Sequence, residues 1–421
     1  MQHFEIVGGN RLKGVVPISG AKNAALPIMA ASILVDGETI LHNVPDLADV
    51  RHMQVLLGRL GVKSQRDDSG AMHLRVEDEM NTHAEYELVS KMRASVCVMG
   101  PLLAKRKRAQ VSMPGGCAIG DRPIDMHIQG LCALGAEFEF VNGDVLLHNK
   151  KLTGAEIFLG GPFGSSVTAT ANVLMAATLA DGRTIIESAA CEPEIVDLAN
   201  YLNACGARIV GQGTPQLTIE GVSSLTGTEH RIIPDRIEVG TFMIAAALTN
   251  GELELQGAQF EHIRAVVDRL RQVGVIVERA EKGLIVSSSR RLEPVQITTQ
   301  PYPGFPTDLQ AQAMALLCLA DGNSMITEKV FPDRFLHVGE LNRMGAHLRK
   351  AGPTVMIEGV KRLVGAPVMA SDLRASAALV LAALIAKGTT QVQRVYHIDR
   401  GYETIERKLA AVGANLRRVQ D

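Results

Sequence analysis

Leu198-Ala199-Asn200-Tyr201-Leu202-Asn203-Ala204-Cys205-Gly206-Ala207 carries apolar residues at helical spacing through Leu198, Leu202 and Cys205, then breaks on a glycine followed by a small apolar residue. That pattern predicts an amphipathic helix closed by a left-handed cap and continued as a strand. The same ending recurs as Leu60-Gly61-Val62, Leu134-Gly135-Ala136, Val273-Gly274-Val275, Met344-Gly345-Ala346 and Val412-Gly413-Ala414. With Gly206 included, successive glycines lie 74, 71, 68, 71 and 68 residues apart. A fixed period of self-similarity marks a chain built from repeated structural units.

Half a period away, an Ala-rich run is closed by a turn and a β-branched or aliphatic strand: Asp36-Gly37-Glu38-Thr39-Ile40, Asp181-Gly182-Arg183-Thr184-Ile185, Asn250-Gly251-Glu252-Leu253, Asp321-Gly322-Asn323-Ser324 and Lys387-Gly388-Thr389-Thr390. A glycine in each such turn permits positive φ. In the second repeat Lys105-Arg106-Lys107-Arg108 stands at that register and reads as a solvated turn. Each repeat therefore reads as an Ala-rich helix, a strand, an amphipathic helix and one or two further strands. The Ala-rich helices start near Asn23, Arg93, Ser166, Glu238, Leu309 and Arg374 and are apolar on most faces, so they belong in an interior. The expectation is an α/β protein of six α+β repeats in two domains of three, with strands and amphipathic helices around buried helices.

The chain has 421 residues with 43 Lys plus Arg against 45 Asp plus Glu, a formal net charge of −2 that disfavours a general nucleic-acid or membrane-surface binder. Its 46% hydrophobic residues, with no Trp and only 4% aromatics, give ample aliphatic core and exclude disorder. The apolar run from Ala375 to Ala386 is well short of the roughly twenty residues that cross a bilayer. Met1 to Gly9 lacks a basic segment followed by an apolar one, which predicts a cytoplasmic protein. The six cysteines, Cys97, Cys117, Cys132, Cys191, Cys205 and Cys318, show no ligand or dithiol spacing, and a disulfide framework is not expected. His127, His337 and His397 lie near polar clusters without metal-ligand spacing, and no phosphate-binding or dinucleotide glycine motif is present, so neither metal nor cofactor is expected.

The starts of the buried helices are polar: Ser19-Gly20-Ala21-Lys22-Asn23, Lys91-Met92-Arg93, Gly164-Ser165-Ser166, Asp235-Arg236-Ile237-Glu238, Pro306-Thr307-Asp308 and Ser371-Asp372-Leu373-Arg374. Helix N-termini carry partial positive charge, so Lys22, Arg93, Arg236 and Arg374 are placed where they weaken an isolated helix. Local ion pairs, Asp235–Arg236 and Asp372–Arg374, are one compensation; bound phosphate or carboxylate is the other. Recurrence across the repeats favours an anion site shared between the domains.

Pro114-Gly115-Gly116-Cys117-Ala118-Ile119-Gly120-Asp121-Arg122-Pro123-Ile124-Asp125 holds three glycines and two prolines in a loop longer than the repeat requires. Cys97, Cys132, Cys205 and Cys318 have the apolar contexts of buried, inert thiols. Cys117, in a Gly-rich loop near Arg122, reads instead as an exposed thiol able to act as acid or nucleophile.

These motifs together, Ser19 to Pro27, Pro114 to Gly120, Phe305-Pro306-Thr307-Asp308-Leu309-Gln310, Asp372-Leu373-Arg374-Ala375-Ser376-Ala377 and His397-Ile398-Asp399-Arg400-Gly401-Tyr402, closely resemble the enolpyruvyl transferases, and among them the branch that uses UDP-N-acetylglucosamine as acceptor. The resemblance runs from end to end. It implies an inside-out α/β barrel of two three-repeat domains, one of residues 22–229 and one of residues 1–21 with 230–421, and substrates bound in the cleft between them. The substrates it implies are phosphoenolpyruvate and UDP-N-acetylglucosamine, joined by addition and elimination of phosphate at the first committed step of peptidoglycan synthesis; the oligomeric state is left open, a monomer being compatible.

By resemblance, Cys117 is the acid that protonates C3, forms a covalent adduct with the phosphoenolpyruvate skeleton and is alkylated by the epoxide fosfomycin. Asp308 contacts and deprotonates the 3′-hydroxyl, Asn23 orients the reacting centre, and Lys22, Arg122 and Arg400 cradle phosphoenolpyruvate. Arg334, Asp372 and Arg374 line the same cleft. Arg93, Arg122, Pro123, Ile124, Asp125, Met126 and Val330 match nucleotide-sugar contacts. Three positions depart from the family pattern: the segment Gly161 to Thr168, Tyr302 where His is frequent, and Cys191 where Arg or Lys is frequent. Two competing identities are a shikimate-3-phosphate enolpyruvyl transferase, disfavoured by the Cys-containing loop, and a catalytically silent regulatory relative, disfavoured by Lys22, Cys117, Asp308 and Arg400 together.

Overall fold

A computed structural model describes residues 2–113, 123–288 and 291–420; Cys117 and Arg122 lie outside the described residues. The chain forms two compact units, passing from one to the other at Ser19/Gly20 and returning at Ile233/Pro234. The expected 22–229 domain thus extends at both ends. The reason is local: Glu229–Arg231 pairs in parallel with Glu38–His42, and the Ala21 N–H donates to the Ile233 carbonyl at 2.7 Å.

Each unit contains three four-stranded sheets. In the unit of residues 20–233 the strand orders are Glu229–Arg231, Glu38–His42, Met72–Val76, Val62–Arg66; then His83–Ala84, Arg108–Ser112, Asp144–His148, Glu137–Val141; then Glu156–Phe158, Arg183–Glu187, Gln216–Glu220, Arg208–Val210. In the other unit they are Lys13–Pro17, Glu252–Gln256, Gly283–Ser287, Ile276–Ala280; then Gln296–Thr298, Asn323–Thr327, Thr354–Glu358, His347–Ala351; then Pro367–Met369, Thr389–Gln393, Gln2–Val7, Asn415–Gln420. In all six the first pair is parallel and the other two are antiparallel. The parallel edge strand is the part of the repeat that the sequence did not reveal. It is only two or three residues long in five of the sheets, too short for alternation to register.

Within each unit the Ala-rich helices form the interior. Lys22–Ala31, Met99–Arg106 and Val167–Ala177 belong to one unit, and Arg236–Leu248, Gln310–Leu317 and Ala375–Ala383 to the other. Every residue of Gln310–Leu317 and Ala375–Ala383 is buried, as befits helices with no polar stripe. The helices expected near Arg93 and Leu309 each open with a 3₁₀ turn, Arg93–Val98 and Thr307–Leu309. Sheet strands alternate buried and accessible residues, as in Glu38–His42 or Gln216–Glu220, so one face of each packs inward. Among the described residues no helix is long and apolar enough to cross a membrane. Cys205 and Cys318 are buried, and burial pushes their thiols up to about 11 and about 12; Cys132, expected with them, is only half-buried.

All six periodic glycines adopt the left-handed conformation, with φ of 78° at Gly61, 99° at Gly135, 104° at Gly206, Gly274 and Gly413, and 88° at Gly345. The cap is therefore a backbone requirement repeated once per repeat. Replacing Gly206, around which a Cβ would meet nothing within 4 Å, isolates the conformational cost from any clash. Gly206→Ala is expected to lower stability by about 1–2 kcal/mol, read as a lower denaturant midpoint at constant slope; an unchanged midpoint would exclude the cap requirement.

At the half-period turns, Gly37, Gly182, Gly322 and Gly388 also have positive φ, but in the fourth repeat Asn250 takes it, at 49°. Gly251 is needed there for another reason: a Cβ would sit 2.5 Å from the Leu12 carbonyl oxygen. The basic run also departs from a plain solvated turn. Lys107 supplies the positive φ, at 60°, while Arg106 donates to the carbonyls of Leu60, Asn81 and Asp78 at 2.8, 2.6 and 3.2 Å and so ties the turn to its neighbour.

Candidate active site

In the unit that includes residues 234–420, four of the expected site residues converge. Asp308 sits in the 3₁₀ turn that opens Gln310–Leu317, and Arg334 reaches it from the segment after Asn323–Thr327, donating from Nη1 to Oδ1 at 2.7 Å. The other Arg334 nitrogen lies 3.6 Å from Asp372 Oδ1. Arg374, 1% exposed, donates to Asp235 Oδ2 at 3.1 Å and to the Gly401 carbonyl at 3.0 Å, and its Nε stands 3.9 Å from Asp308 Oδ2. Its guanidinium also lies 4.8 Å from the centre of the Tyr402 ring. Burial works against both arginine charges, yet Asp308 and Asp372 around Arg334, and Asp235, Tyr402 and Asp308 around Arg374, more than offset it and raise both groups above their ordinary values.

The local ion pairs expected from the sequence are not the ones formed. Asp235 caps Arg236–Leu248, accepting from the N–H groups of Ile237 and Glu238 at 2.8 and 3.1 Å, and gives its other oxygen to Arg374. Arg236 stands over the Tyr302 ring at 5.5 Å. Asp372 likewise accepts from the backbone N–H of Arg374 and Ala375, at 2.8 and 2.9 Å, and faces Arg334 with the same oxygen. Sequence neighbours at a helix start point in different directions, so partners come from other segments.

Beneath Asp308, Gln312 Nε2 donates to its carbonyl at 2.9 Å and to the Tyr402 hydroxyl at 3.1 Å, and that hydroxyl is 2.8 Å from Thr241 Oγ1. Arg400 is half-buried at the end of the turn Val395–Arg400; burial first, and Arg400 second, hold the nearby His397 below its ordinary value. Val330 donates its N–H to Glu328 at 2.8 Å. Asp49, Glu328, Gln312 and Tyr402 were not singled out from sequence; Tyr402 lies inside a quoted motif, while the other three stand in unremarkable contexts.

His337, 1% exposed, opens the helix His337–Arg343 with neither ring nitrogen hydrogen-bonded. Burial brings its pKa down to about 4, with Asp372 raising it and Arg334 lowering it further. The folded protein thus keeps this ring neutral while the unfolded chain takes up a proton near pH 6.5. Stability contributed in this way is present above pH 6.5 and is lost as pH falls towards 4. By pH 4 the loss is expected to be on the order of 3 kcal/mol, and His337→Gln should flatten that part of the pH–stability profile; parallel profiles for the two proteins would remove His337 as the cause.

In the unit of residues 20–233, Lys22 begins the helix Lys22–Ala31 at 6% exposure and donates to Asp49 Oδ2 at 3.1 Å, so its charge at a helix N-terminus is met by a buried carboxylate. Asn23 follows, half-buried. Arg93 donates to the Pro123 carbonyl at 3.1 Å, which ties the start of one interior helix to the segment Pro123 to Met126. Within that segment Ile124 is buried and precedes the helix Asp125–Ala133, Asp125 is exposed, and Met126 is half-buried against Gly161, where a Cβ would lie 3.1 Å from its Cε. Next along, His127 bridges Thr168 Oγ1 at 3.1 Å and the Asn172 side-chain amide at 2.8 Å. The divergent segment Gly161 to Thr168 therefore adjoins the residues expected to contact a nucleotide sugar. Of the other departures, the Tyr302 hydroxyl donates to the Glu261 carbonyl at 3.1 Å, and Cys191 lies 3.6 Å from the Ala189 carbonyl with its thiol raised by burial and by Glu192.

The family model for EPSP synthase (3-phosphoshikimate 1-carboxyvinyltransferase) matches residues 6–409. A UDP-N-acetylglucosamine 1-carboxyvinyltransferase of Methylacidiphilum infernorum is 52% identical over 419 residues, spanning 100% of this chain and 99% of its own, and one of Anaeromyxobacter dehalogenans is 53% identical over 425 residues, spanning 100% of both. Among solved structures, the enolpyruvyl transferase NikO from Streptomyces tendae superposes with a TM-score of 0.90 at 24% identity, covering 100% of this chain and 99% of the other. EPSP synthase from Acinetobacter baumannii superposes at 0.78 with 18% identity over 100% of both chains. These two likenesses establish the fold, and the sequence relatives establish the branch. The chain belongs to the enolpyruvyl transferase family, among the UDP-N-acetylglucosamine 1-carboxyvinyltransferases.

Proposed function

We infer that this protein transfers the enolpyruvyl group of phosphoenolpyruvate to the 3′-hydroxyl of UDP-N-acetylglucosamine with release of phosphate, the first committed step of peptidoglycan synthesis. The observation that carries the mechanism is a carboxylate, Asp308, set against Arg334 and approached by Arg374, both almost fully buried. The reaction needs the hydroxyl oxygen to bond to C2 while its proton passes to a base and C3 takes a proton from an acid. The tetrahedral adduct then loses phosphate as C3 gives a proton back. Asp308 is the base in this proposal and Cys117 the acid. Base and acid steps of this kind contribute roughly 10²–10⁴-fold each.

Lys22, Arg122 and Arg400 hold the phosphate and carboxylate of phosphoenolpyruvate, with Asn23 orienting the reacting carbons. Arg334 and Arg374 are already engaged by Asp308, Asp372 and Asp235, so their part is to fix the base rather than to supply an uncommitted charge. Arg93, Pro123 to Met126 and Val330 receive the nucleotide sugar. Both substrates are charged cytoplasmic metabolites, and the reaction is placed in that compartment.

Phosphate release from phosphoenolpyruvate, measured with UDP-N-acetylglucosamine or shikimate 3-phosphate as acceptor, decides the acceptor. Release is expected with the first alone; none with UDP-N-acetylglucosamine overturns the proposal, and release only with shikimate 3-phosphate replaces it with the sister activity.

A further inference from the structure

Glu328 is completely buried, yet four donors converge on its carboxylate. Oε1 accepts from the Thr299 hydroxyl at 2.6 Å and from the backbone N–H of Val330 at 2.8 Å and Phe331 at 3.0 Å; Oε2 accepts from the Thr307 hydroxyl at 2.8 Å. Thr299 in turn accepts from the Lys329 N–H at 2.9 Å. The turn 329–331 is therefore folded around one side chain. On the other side, Thr307 precedes Asp308 and accepts from Arg334 Nη1 at 3.2 Å, the same nitrogen that donates to Asp308 at 2.7 Å. A single carboxylate thus joins the turn carrying Val330 to the turn carrying the base. Gln312 and Tyr402 support Asp308 from below, and Asp372 holds the far side of Arg334.

We propose that Glu328 is a positioning residue that sets the register between Asp308 and the 329–331 turn, and through it the acceptor specificity of the reaction. The inference rests on the proposed function, because Val330 enters as a nucleotide-sugar contact only under that reading. Its physical basis is that a base must lie within hydrogen-bond reach of the proton it removes. A displacement of about 1 Å at such a site costs on the order of 10²-fold in rate. A shift of Thr307 relative to Val330 is a shift of the base relative to the sugar.

Glu328→Gln keeps the volume but replaces one acceptor oxygen by an amide nitrogen, and Thr307→Val removes the same link from its other end without altering the buried carboxylate. Each is expected to lower kcat/KM for UDP-N-acetylglucosamine by about 10–100-fold, with the Michaelis constant for phosphoenolpyruvate changed less than about twofold. Thr307→Ser should restore most of the rate, and the double variant should be little worse than either single one, because both break one link. Equal losses for the two substrates, additive losses in the double variant, or unchanged kcat/KM in Thr307→Val would each overturn the role. A wild-type enzyme that releases no phosphate with UDP-N-acetylglucosamine overturns the functional reading itself, an outcome visible before any variant is made.

Discussion

Arg374→Ala is expected to destabilise the unit that carries it by about 3–5 kcal/mol, the cost of leaving buried carboxylates without their cation. The guanidinium is 1% exposed and serves Asp235, the Gly401 carbonyl and the Tyr402 ring at once, with Asp308 at 3.9 Å. Lysine would keep the charge but could not fork between Asp235 and Gly401 while lying flat on the ring, so Arg374→Lys should recover only part of the loss. A sharper control is Arg374→Met combined with Asp235→Asn, which removes both charges. It should be more stable than Arg374→Met alone while remaining catalytically poor, since Asp308 still loses a neighbour. Chemical denaturation gives the first quantity and phosphate release the second. An Arg374→Ala protein as stable as the wild type would show that the cluster is not held by this pair.

The second large effect belongs to Asp308→Asn. The amide is nearly isosteric and still offers an oxygen to Arg334, so the fold around it should persist, but it cannot take a proton from the acceptor hydroxyl. Turnover should fall by about 10²–10⁴-fold with the affinity for UDP-N-acetylglucosamine within about an order of magnitude of wild type. Steady-state phosphate release, with nucleotide-sugar binding measured separately by calorimetry, distinguishes loss of a base from loss of binding. A turnover within threefold of wild type would move the base elsewhere.

The sixfold pattern was legible because it answers to backbone sterics: six glycines at positive φ have few substitutes, and they recur at a spacing the eye can measure. The interior helices were legible because an Ala-rich segment without a polar face has nowhere else to go. The parallel edge strands were not, since Glu156–Phe158 or Pro367–Met369 is too short to alternate. Within the site, residue types and their placement at helix starts were visible, but their partners were not. Arg374 meets Asp235 across 139 residues, Lys22 meets Asp49 across 27, and Arg334 meets Asp308 across 26. The sequence offered nearer carboxylates to two of the basic residues, and the geometry of a helix start sent them to the backbone instead. Glu328 illustrates the same limit more strongly, because its importance lies in four donors brought from three separate stretches of chain.

The sheet that contains Gln2–Val7 also sets an order of events during synthesis. That strand lies between Thr389–Gln393 and Asn415–Gln420, with Phe4 opposite both Val392 and Arg418, and Lys13–Pro17 pairs with Glu252–Gln256. The unit of residues 20–233 draws all its strands from one continuous stretch and can close while later residues are still being translated. In the other unit Gln2–Val7 has neither neighbour until Thr389–Gln393 has been made, and lacks its second until Asn415–Gln420 follows. Removing Asn415–Gln420 would therefore expose one flank of Gln2–Val7.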